Sequence, residues 1–264
     1  MNNHSFRQQQ YLIRLKRDRI LIHASRLLLL AFFLFFWETA SQKQWIDSFI
    51  FSSPSLILKT FVKMLKEQSL TLHIRITLSE TLISFFLVMS LGILSAVILW
   101  LFPKISRILE PYLVVLNSLP KSALAPLLIV WLGANEKTII VSGISVAIFG
   151  CILNLYTGFT EISQEKLKLI RTLGGGRIDE LFKIVLPSSV PTILSNMKVN
   201  IGLCLVGVII GEFIGARQGL GYLIIYGSQT FKLTWVLMSI VILMIIAMLL
   251  YGILNLIGRK VEKH

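Results

Sequence analysis

Along the chain, long runs of apolar residues alternate with short polar and basic segments. A helix needs about 20 predominantly apolar residues to cross the hydrocarbon core of a bilayer. We predict six spanning helices, over residues of about 27–41, 81–102, 112–132, 138–157, 192–214 and 233–257. The first run is short for a span unless its helix begins nearer Ile20. The pattern therefore predicts an all-α membrane protein with a single six-helix domain, residues 27–258.

The basic residues outside these runs fall mostly on one side of the predicted membrane. The N-terminal segment, residues 1–26, has one acid, Asp18, against a set of Lys and Arg made up of Arg7, Arg14, Lys16, Arg17, Arg19 and Arg26. Cytoplasmic segments of membrane proteins are enriched in Lys and Arg, so we place this segment in the cytoplasm. Six spans return the C-terminal tail, residues 259–264, to the same side.

Composition agrees with a membrane protein and limits the other classes. Hydrophobic residues make up 55% of the chain and charged residues only 15%, where soluble domains have about 25%. The net charge of +13 lies in clusters between apolar runs, which the positive-inside rule explains more simply than nucleic-acid binding does. Cys151 and Cys204 lie far apart in apolar runs, and the four histidines form no cluster, so we expect no disulfide and no metal site.

The first predicted outer loop, about Gln42–Glu80, contains a helical pattern of its own. Ser53 followed by Pro54 is a typical helix start. Apolar residues then repeat at helical spacing, at Ile57, Leu58, Phe61, Val62 and Leu65, while Lys59, Lys63 and Lys66 take the other face. We predict an amphipathic helix that lies on the outer membrane surface or caps the bundle.

The loop between the fourth and fifth spans, about Gly158–Pro191, is far longer than the 2 to 8 residues usual between bundle helices. Apolar residues recur at helical spacing before and after Gly174, Gly175 and Gly176, so each half is predicted to be a short amphipathic helix. The glycines supply the turn, and Pro187 and Pro191 end the second half. No Lys-Ser or Lys-Thr follows at the spacing of a phosphate-binding loop. We predict a cytoplasmic helix-turn-helix that presents an apolar ridge.

Three stretches together resemble a known family. Gly174, Ile184, Leu186 and Pro187 fall at the spacings of the cytoplasmic loop of permease subunits of bacterial ABC importers, although Lys168, Leu169 and Ile170 stand where that pattern has Glu-Ala-Ala. LPKSALAPLLIVWLG, Leu119–Gly133, is similar to the third helix of the nitrate, sulfonate and taurine branch. GEFIGARQGLGYLI, Gly211–Ile224, is similar to the end of its fifth helix.

This resemblance implies a multi-pass permease in the plasma membrane of a bacterium. Its partners would be a second permease copy, most simply as a homodimer, cytoplasmic ATPase subunits that bind ATP and Mg²⁺, and an extracytoplasmic solute-binding protein. The chain itself would bind no cofactor and catalyse no reaction. The family's coupling helix maps onto Ile170, Leu173, Gly174, Gly175, Arg177, Ile184, Leu186 and Pro187. Because Lys168 replaces the family's glutamate, we expect a dedicated ATPase partner.

Polar residues inside the predicted spans are candidates for a solute path or gate, because charges are costly in a bilayer. They are Asn117, Lys121, Lys198, Asn200 and Glu212. Other roles stay open: Lys121 neutralises carbonyls freed by adjacent prolines, Lys198 extends to the cytoplasmic headgroups, and the asparagines bond neighbouring helices. Glu212 pairs with Arg217, gates the outer mouth, or is a satisfied interfacial carboxylate. The alternative function is a secondary transporter or channel without an ATPase.

Small residues recur along the fifth predicted span. They are Gly202, Gly207, Gly211 and Gly215. Glycines at such spacing let two helices approach closely. They predict either a subunit interface or a contact in the bundle core.

Overall fold

The computed structural model of the chain describes residues 6–67 and 69–261, and this part is helical with short connections. The predicted N-terminal segment 1–26 and tail 259–264 lie partly outside the described residues. The helices are α1 (Phe6–Gln42), α2 (Ser48–Phe51), α3 (Pro54–Lys66), α4 (Ser69–Leu101), α5 (Pro103–Ser118), α6 (Lys121–Leu132), α7 (Glu136–Thr160), α8 (Gln164–Thr172), α9 (Arg177–Glu180), a π-helical segment (Leu181–Val185), α10 (Leu186–Ser188), α11 (Val190–Gly215), α12 (Leu220–Gln229) and α13 (Leu233–Val261).

Five helices in the described part of the chain are long and apolar enough to cross a membrane. They are α4, α7, α11, α13 and the stretch Ile20–Gln42 of α1, which begins well before residue 27. By length and composition, each could span the hydrocarbon core. The chain is therefore an all-helical membrane protein, as the hydrophobic pattern predicts.

The predicted third span, residues 112–132, is wrong as a continuous helix. Its residues belong to α5 and α6, which are bent by 95° at a short break, and only the pair together amounts to a sixth span. Pro120 has no N–H to continue the helix, and it disfavours the helical conformation at the preceding residue. Leu119 accordingly has an extended ψ of 142°.

The centre of the bundle is the packing of α7 against α4 and α11. A Cβ atom on Gly207 of α11 would lie 2.8 Å from the Gly143 Cα atom and 2.9 Å from the Ser142 carbonyl oxygen of α7. The Ser142 hydroxyl donates a 2.9 Å hydrogen bond to the Gly207 carbonyl. Gly207 thus belongs to the bundle core, whereas a Cβ on Gly202 would meet no atom within 4 Å.

We expect Gly207→Ala to destabilise the chain by about 1–3 kcal/mol, the usual cost of overpacking a core. The added methyl group forces α7 and α11 apart where their backbones touch. The measurement is the thermal unfolding midpoint of the detergent-purified protein. Gly202→Ala on the same helix is the matched control and should unfold at or above the wild-type midpoint, because alanine favours a helix over glycine. Equal midpoints for the two variants would contradict the close contact.

A second apolar cluster joins α3 and α12 to α13 and the start of α4. Leu70, Leu220, Leu223 and Met238 are fully buried there. The predicted amphipathic helix is α3, where the Ser53 hydroxyl accepts a 3.2 Å hydrogen bond from the Leu56 N–H as a helix cap. Its buried face contains Ile57 and also Met64, which the sequence pattern did not single out, whereas Leu58 is exposed. The helix is therefore packed against the bundle.

The stretch Gly211–Ile224 does not form the end of one helix. α11 stops at Gly215, and a separate helix, α12, starts at Leu220. Gly219 between them has φ of 110°, which strongly favours glycine. The connection between the fifth and sixth predicted spans is thus an ordered helix, which the sequence did not predict.

Candidate functional site

The long connection between α7 and α11, residues 161–189, forms a compact helical unit that we call the knob. α8 ends in a glycine turn in which the Gly174 N–H bonds the Arg171 carbonyl at 3.0 Å and the Gly175 N–H bonds the Ile170 carbonyl at 2.9 Å. Gly174 has φ of 82°. This pair of bonds and the positive φ are the Schellman ending of a helix. The glycines make a turn, as the sequence predicts.

After the turn, the backbone is helical from α9 through the π-helical segment to α10. The Asp179 carboxylate caps the start of α9 by accepting a 3.0 Å hydrogen bond from the Gly176 N–H. The hydrogen bond from Lys183 lowers the pKa of Asp179, and the Gly176 N–H lowers it further. The cap is therefore lost only when the pH falls below the ordinary range of an aspartate.

The helix does not end at Pro187, contrary to the sequence prediction. The last turn before the proline is a π-turn, in which the Leu186 N–H bonds the Leu181 carbonyl. A wider turn accommodates a proline ring, which would otherwise press on the carbonyl four residues earlier. The chain leaves the helix only at Ser189, and α11 begins at Val190. The knob therefore continues almost directly into α11.

One face of the knob is fixed to the bundle. Leu167, Leu181 and Val185 are buried in the cluster that contains Trp100 and Phe159. The Arg177 guanidinium donates a 3.1 Å hydrogen bond to the Trp100 carbonyl and lies 5.5 Å from the centre of the Trp100 ring. These contacts anchor the knob to the end of α4.

An ion pair holds the two halves of the knob together. Arg171 of α8 bonds the buried carboxylate of Glu180 in α9 through Nε and Nη2. The hydrogen bond that Arg171 donates to Glu180, followed by the charge of Glu180, raises the pKa of Arg171. A buried carboxylate needs such a partner because an unpaired charge is costly away from water.

The opposite face of the knob is an exposed apolar patch, which we call the knob patch. It consists of Leu169, Leu173, Ile178 and Phe182, which are 58%, 75%, 66% and 64% exposed. Of the predicted coupling residues, Leu173, Gly174, Arg177 and Pro187 are exposed, and Ile170, Gly175, Ile184 and Leu186 are half-buried. Helical spacing placed Ile178 and Phe182 on apolar faces, but only the packing shows which face stays uncovered. Several large apolar side chains left exposed on one short unit are typical of a contact surface.

Of the polar candidates inside the predicted spans, the structure brings Asn117 and Lys121 into contact, whereas Lys198, Asn200 and Glu212 bond other residues. At the bend between α5 and α6, the Lys121 ammonium donates to the Asn117 carbonyl, which the helix end leaves free. The Lys198 ammonium donates a 3.0 Å bond to Asn255 of α13. Asn200 is buried and bonds the Asn196 side chain at 2.6 Å. The Lys121 bond matches the alternative in which this residue neutralises a carbonyl next to the prolines. Lys198 instead bonds a neighbouring helix, and Asn200 bonds a residue of its own helix.

Glu212 is buried at the end of α11, where it holds the start of α12. Its carboxylate accepts a 2.6 Å hydrogen bond from the Thr77 hydroxyl and a 2.5 Å hydrogen bond from the Gly221 N–H. Its partners in the described residues do not include Arg217, so the bonds agree with the third alternative for this residue. Glu212 is a satisfied carboxylate.

Side chains of α4 complete this arrangement. We call Glu212, Thr77 and His73, with the N–H groups that they bind, the carboxylate clamp. The Thr77 hydroxyl accepts a 2.8 Å bond from the Leu220 N–H, and His73 Nδ1 accepts a 2.9 Å bond from the Gly219 N–H. Helix starts leave their first N–H groups without backbone partners, and here α4 and α11 supply them. His73 and Thr77 are not predicted as site residues from the sequence, although their spacing of four puts them on one helical face. No cluster that could hold a metal ion occurs in the described residues.

A bundle of apolar helices with an anchored knob defines a multi-pass membrane protein. The chain belongs to the family described as "Binding-protein-dependent transport system inner membrane component", whose model matches residues 88–263. This confirms the resemblance that the three sequence stretches indicated. The chain is therefore a transport permease of the inner membrane.

Two relatives are similar over most of their length. SsuC of Bacillus subtilis (strain 168), whose name assigns it to aliphatic sulfonates transport, is 24% identical over 90% of this chain and 86% of its own. The taurine transport system permease protein TauC of Escherichia coli (strain K12) is 26% identical over 88% of this chain and 86% of its own. Both are named as transport permeases.

One solved structure has the same fold. The MetNI methionine ABC transporter, in an inward-facing conformation, matches with a TM-score of 0.66 and 21% identity over 74% of this chain and 96% of its own. At this level of identity the likeness concerns the fold alone.

Proposed function

We propose that this chain is the membrane-spanning half of an ATP-driven importer and that its knob is the coupling element that docks on a cytoplasmic ATPase. The observation that carries this proposal is the knob patch. Leu173 and Phe182 expose apolar surface on a unit whose other face is fixed in the bundle core. An apolar surface on a rigid support suits a stable protein contact. ATP and Mg²⁺ would then be bound by the partner, not by this chain.

The knob is suited to transmit movement as well as to bind. Its core residues Leu181 and Val185 pack with α4 and α7, and its last turn runs almost directly into α11. Displacement of the knob by a closing ATPase would therefore move α11 as a lever. This role puts the knob, and with it both chain termini, on the cytoplasmic side. The excess of Lys and Arg in residues 1–26 supports the same orientation.

The solute path belongs between this chain and a second copy of it. α11 exposes Val199, Gly202 and Val206 along one face, and α6 exposes Val130 and Trp131. Lys121 and Asn117 lie half-buried at the bend next to α6, so of the polar candidates they are the ones we assign to the path. Lys198, Asn200 and Glu212 then support the helices that line it and close it.

The relatives support a class of small solutes. Aliphatic sulfonates and taurine are small molecules that carry a sulfonate, and the proposed cargo here is a sulfonate or another small solute such as nitrate or a vitamin precursor. An extracytoplasmic binding protein would deliver it and would determine most of the selectivity.

Reconstitution in proteoliposomes tests the proposal. We expect uptake of radiolabelled taurine or ethanesulfonate only when the partner ATPase, the binding protein and internal ATP are all present. The chain alone should give no uptake above protein-free liposomes, because it has no energy source of its own. Uptake by the chain alone, driven by an ion or solute gradient, would favour the alternative of a secondary transporter or channel.

A further inference from the structure

A polar cavity of about 470 Å³ lies between the knob and the junction of α4 with α5. Its walls come from the end of α4, the first turns of α5, the end of α7 and both halves of the knob. Three arginines line it: Arg107, Arg171 and Arg177. The volume is in the range of sites that hold a small ligand or a headgroup. The knob's function as proposed above makes no use of this cavity.

The positive charge of the cavity is not fully neutralised by the protein. Glu180 is committed to Arg171, and Arg177 is held by the Trp100 carbonyl and ring without a carboxylate. Ion pairs in residues 6–67 and 69–261 join Arg171 to Glu180 and Lys183 to Asp179, so Arg107 is in neither. Glu110 is the other acid in the lining. The guanidinium groups of Arg107 and Arg177 are thus accompanied in the lining by one remaining carboxylate, that of the exposed Glu110.

Two helix starts add to the positive potential. Pro103 begins α5 and Gln164 begins α8, and both residues line the cavity. Neither helix has a side-chain hydrogen bond from its N-cap residue. The positive end of a helix dipole favours an anion, and guanidinium groups bind phosphate in a planar, bidentate geometry.

The surroundings indicate which molecule brings the phosphate. Arg107 and Ser106 line the cavity, while Phe102, the N-cap residue of α5, and Ile105 and Leu109 of α5 are exposed and apolar. Acyl chains would be stabilised by contact with these apolar side chains, whereas a free phosphate would not. Basic pockets between membrane helices on the cytoplasmic side are typical headgroup sites of anionic lipids.

We propose that this cavity binds the phosphate of an anionic phospholipid, with the acyl chains along α5. The lipid would bridge the knob and the α4–α5 junction, so the knob position would depend on the lipid composition. This proposal depends on the proposed function in one respect: the cytoplasmic position of the knob assigns the lipid to the inner leaflet. Binding itself needs neither ATPase nor solute, so it can fail or succeed independently of the proposed function.

Native mass spectrometry of the purified full-length chain tests this site, with phosphatidylglycerol and phosphatidylcholine as probes. We expect retention of phosphatidylglycerol over phosphatidylcholine. Arg107→Gln should lower that retention about fivefold, equivalent to about 1 kcal/mol for one basic residue near a membrane surface. Arg107 is exposed, so its replacement leaves the fold intact.

Two matched variants and one competitor make the result decisive. Lys104→Gln removes the same charge from the same helix outside the cavity lining and should leave retention unchanged, while Glu110→Gln should raise it. An equal loss in Lys104→Gln and Arg107→Gln would overturn the site in favour of diffuse charge attraction. Displacement of the lipid by millimolar inorganic phosphate would overturn the lipid as occupant and assign the cavity to a soluble phosphate.

Discussion

Replacement of Gly174 by aspartate is expected to abolish ATP-driven uptake and leave the chain inserted in the membrane. A Cβ atom at Gly174 would meet no atom within 4 Å, so the new side chain has room on the outside of the knob. It would put a carboxylate next to Leu173, which is 75% exposed in the knob patch. An unpaired charge buried in a contact costs about 3–5 kcal/mol, which corresponds to a loss of at least about a hundredfold in ATPase binding. The measurements are uptake and co-purification of the ATPase.

Gly174→Asn is the matched control for this variant. Asparagine has nearly the shape of aspartate without the charge, and it tolerates the positive φ of 82° at this position. We expect it to keep most of the uptake. An equal loss of uptake in both variants would mean that the changed backbone at residue 174, and not a charge in the knob patch, causes the loss. Normal uptake by Gly174→Asp in an intact complex would show that the knob does not couple the ATPase to transport.

The second large effect is expected at the carboxylate clamp. Glu212→Ala leaves the buried Gly221 N–H and the buried Thr77 hydroxyl without their acceptor. Each buried donor that loses its partner costs about 1–3 kcal/mol, so we expect a destabilisation of about 3 kcal/mol or more. The thermal unfolding midpoint in detergent measures it, and protease cleavage between α11 and α12 reports whether the loss begins there.

Glu136→Ala is the control for the clamp. Glu136 lies at the start of α7 and is exposed, so its removal deprives no buried group of a partner. We expect its unfolding midpoint to stay within the small range usual for surface substitutions. If Glu212→Ala were as stable as Glu136→Ala, the carboxylate would not be what holds the start of α12.

Local features of the chain account for much of the fold and of the knob. The apolar runs locate the spanning helices because burial in lipid depends on length and hydropathy alone. The Gly174 turn is predictable because a positive φ after a helix favours glycine. The Ser53–Pro54 start of α3 is predictable in the same way, since capping involves only neighbouring residues.

The sequence by itself determined that the chain is a helical membrane protein, that a structured turn interrupts it at Gly174, and to which family it is similar. Only the tertiary structure decided that Glu212 holds α12 with Thr77, a residue 135 positions away. It also decided that Gly207 packs in the core while Gly202 faces open space, and that Phe182 is exposed while Val185 is buried. The physical reason is the same in each case. Hydropathy and turn chemistry are properties of adjacent residues, whereas hydrogen-bond partners and burial depend on which distant helices the fold brings together.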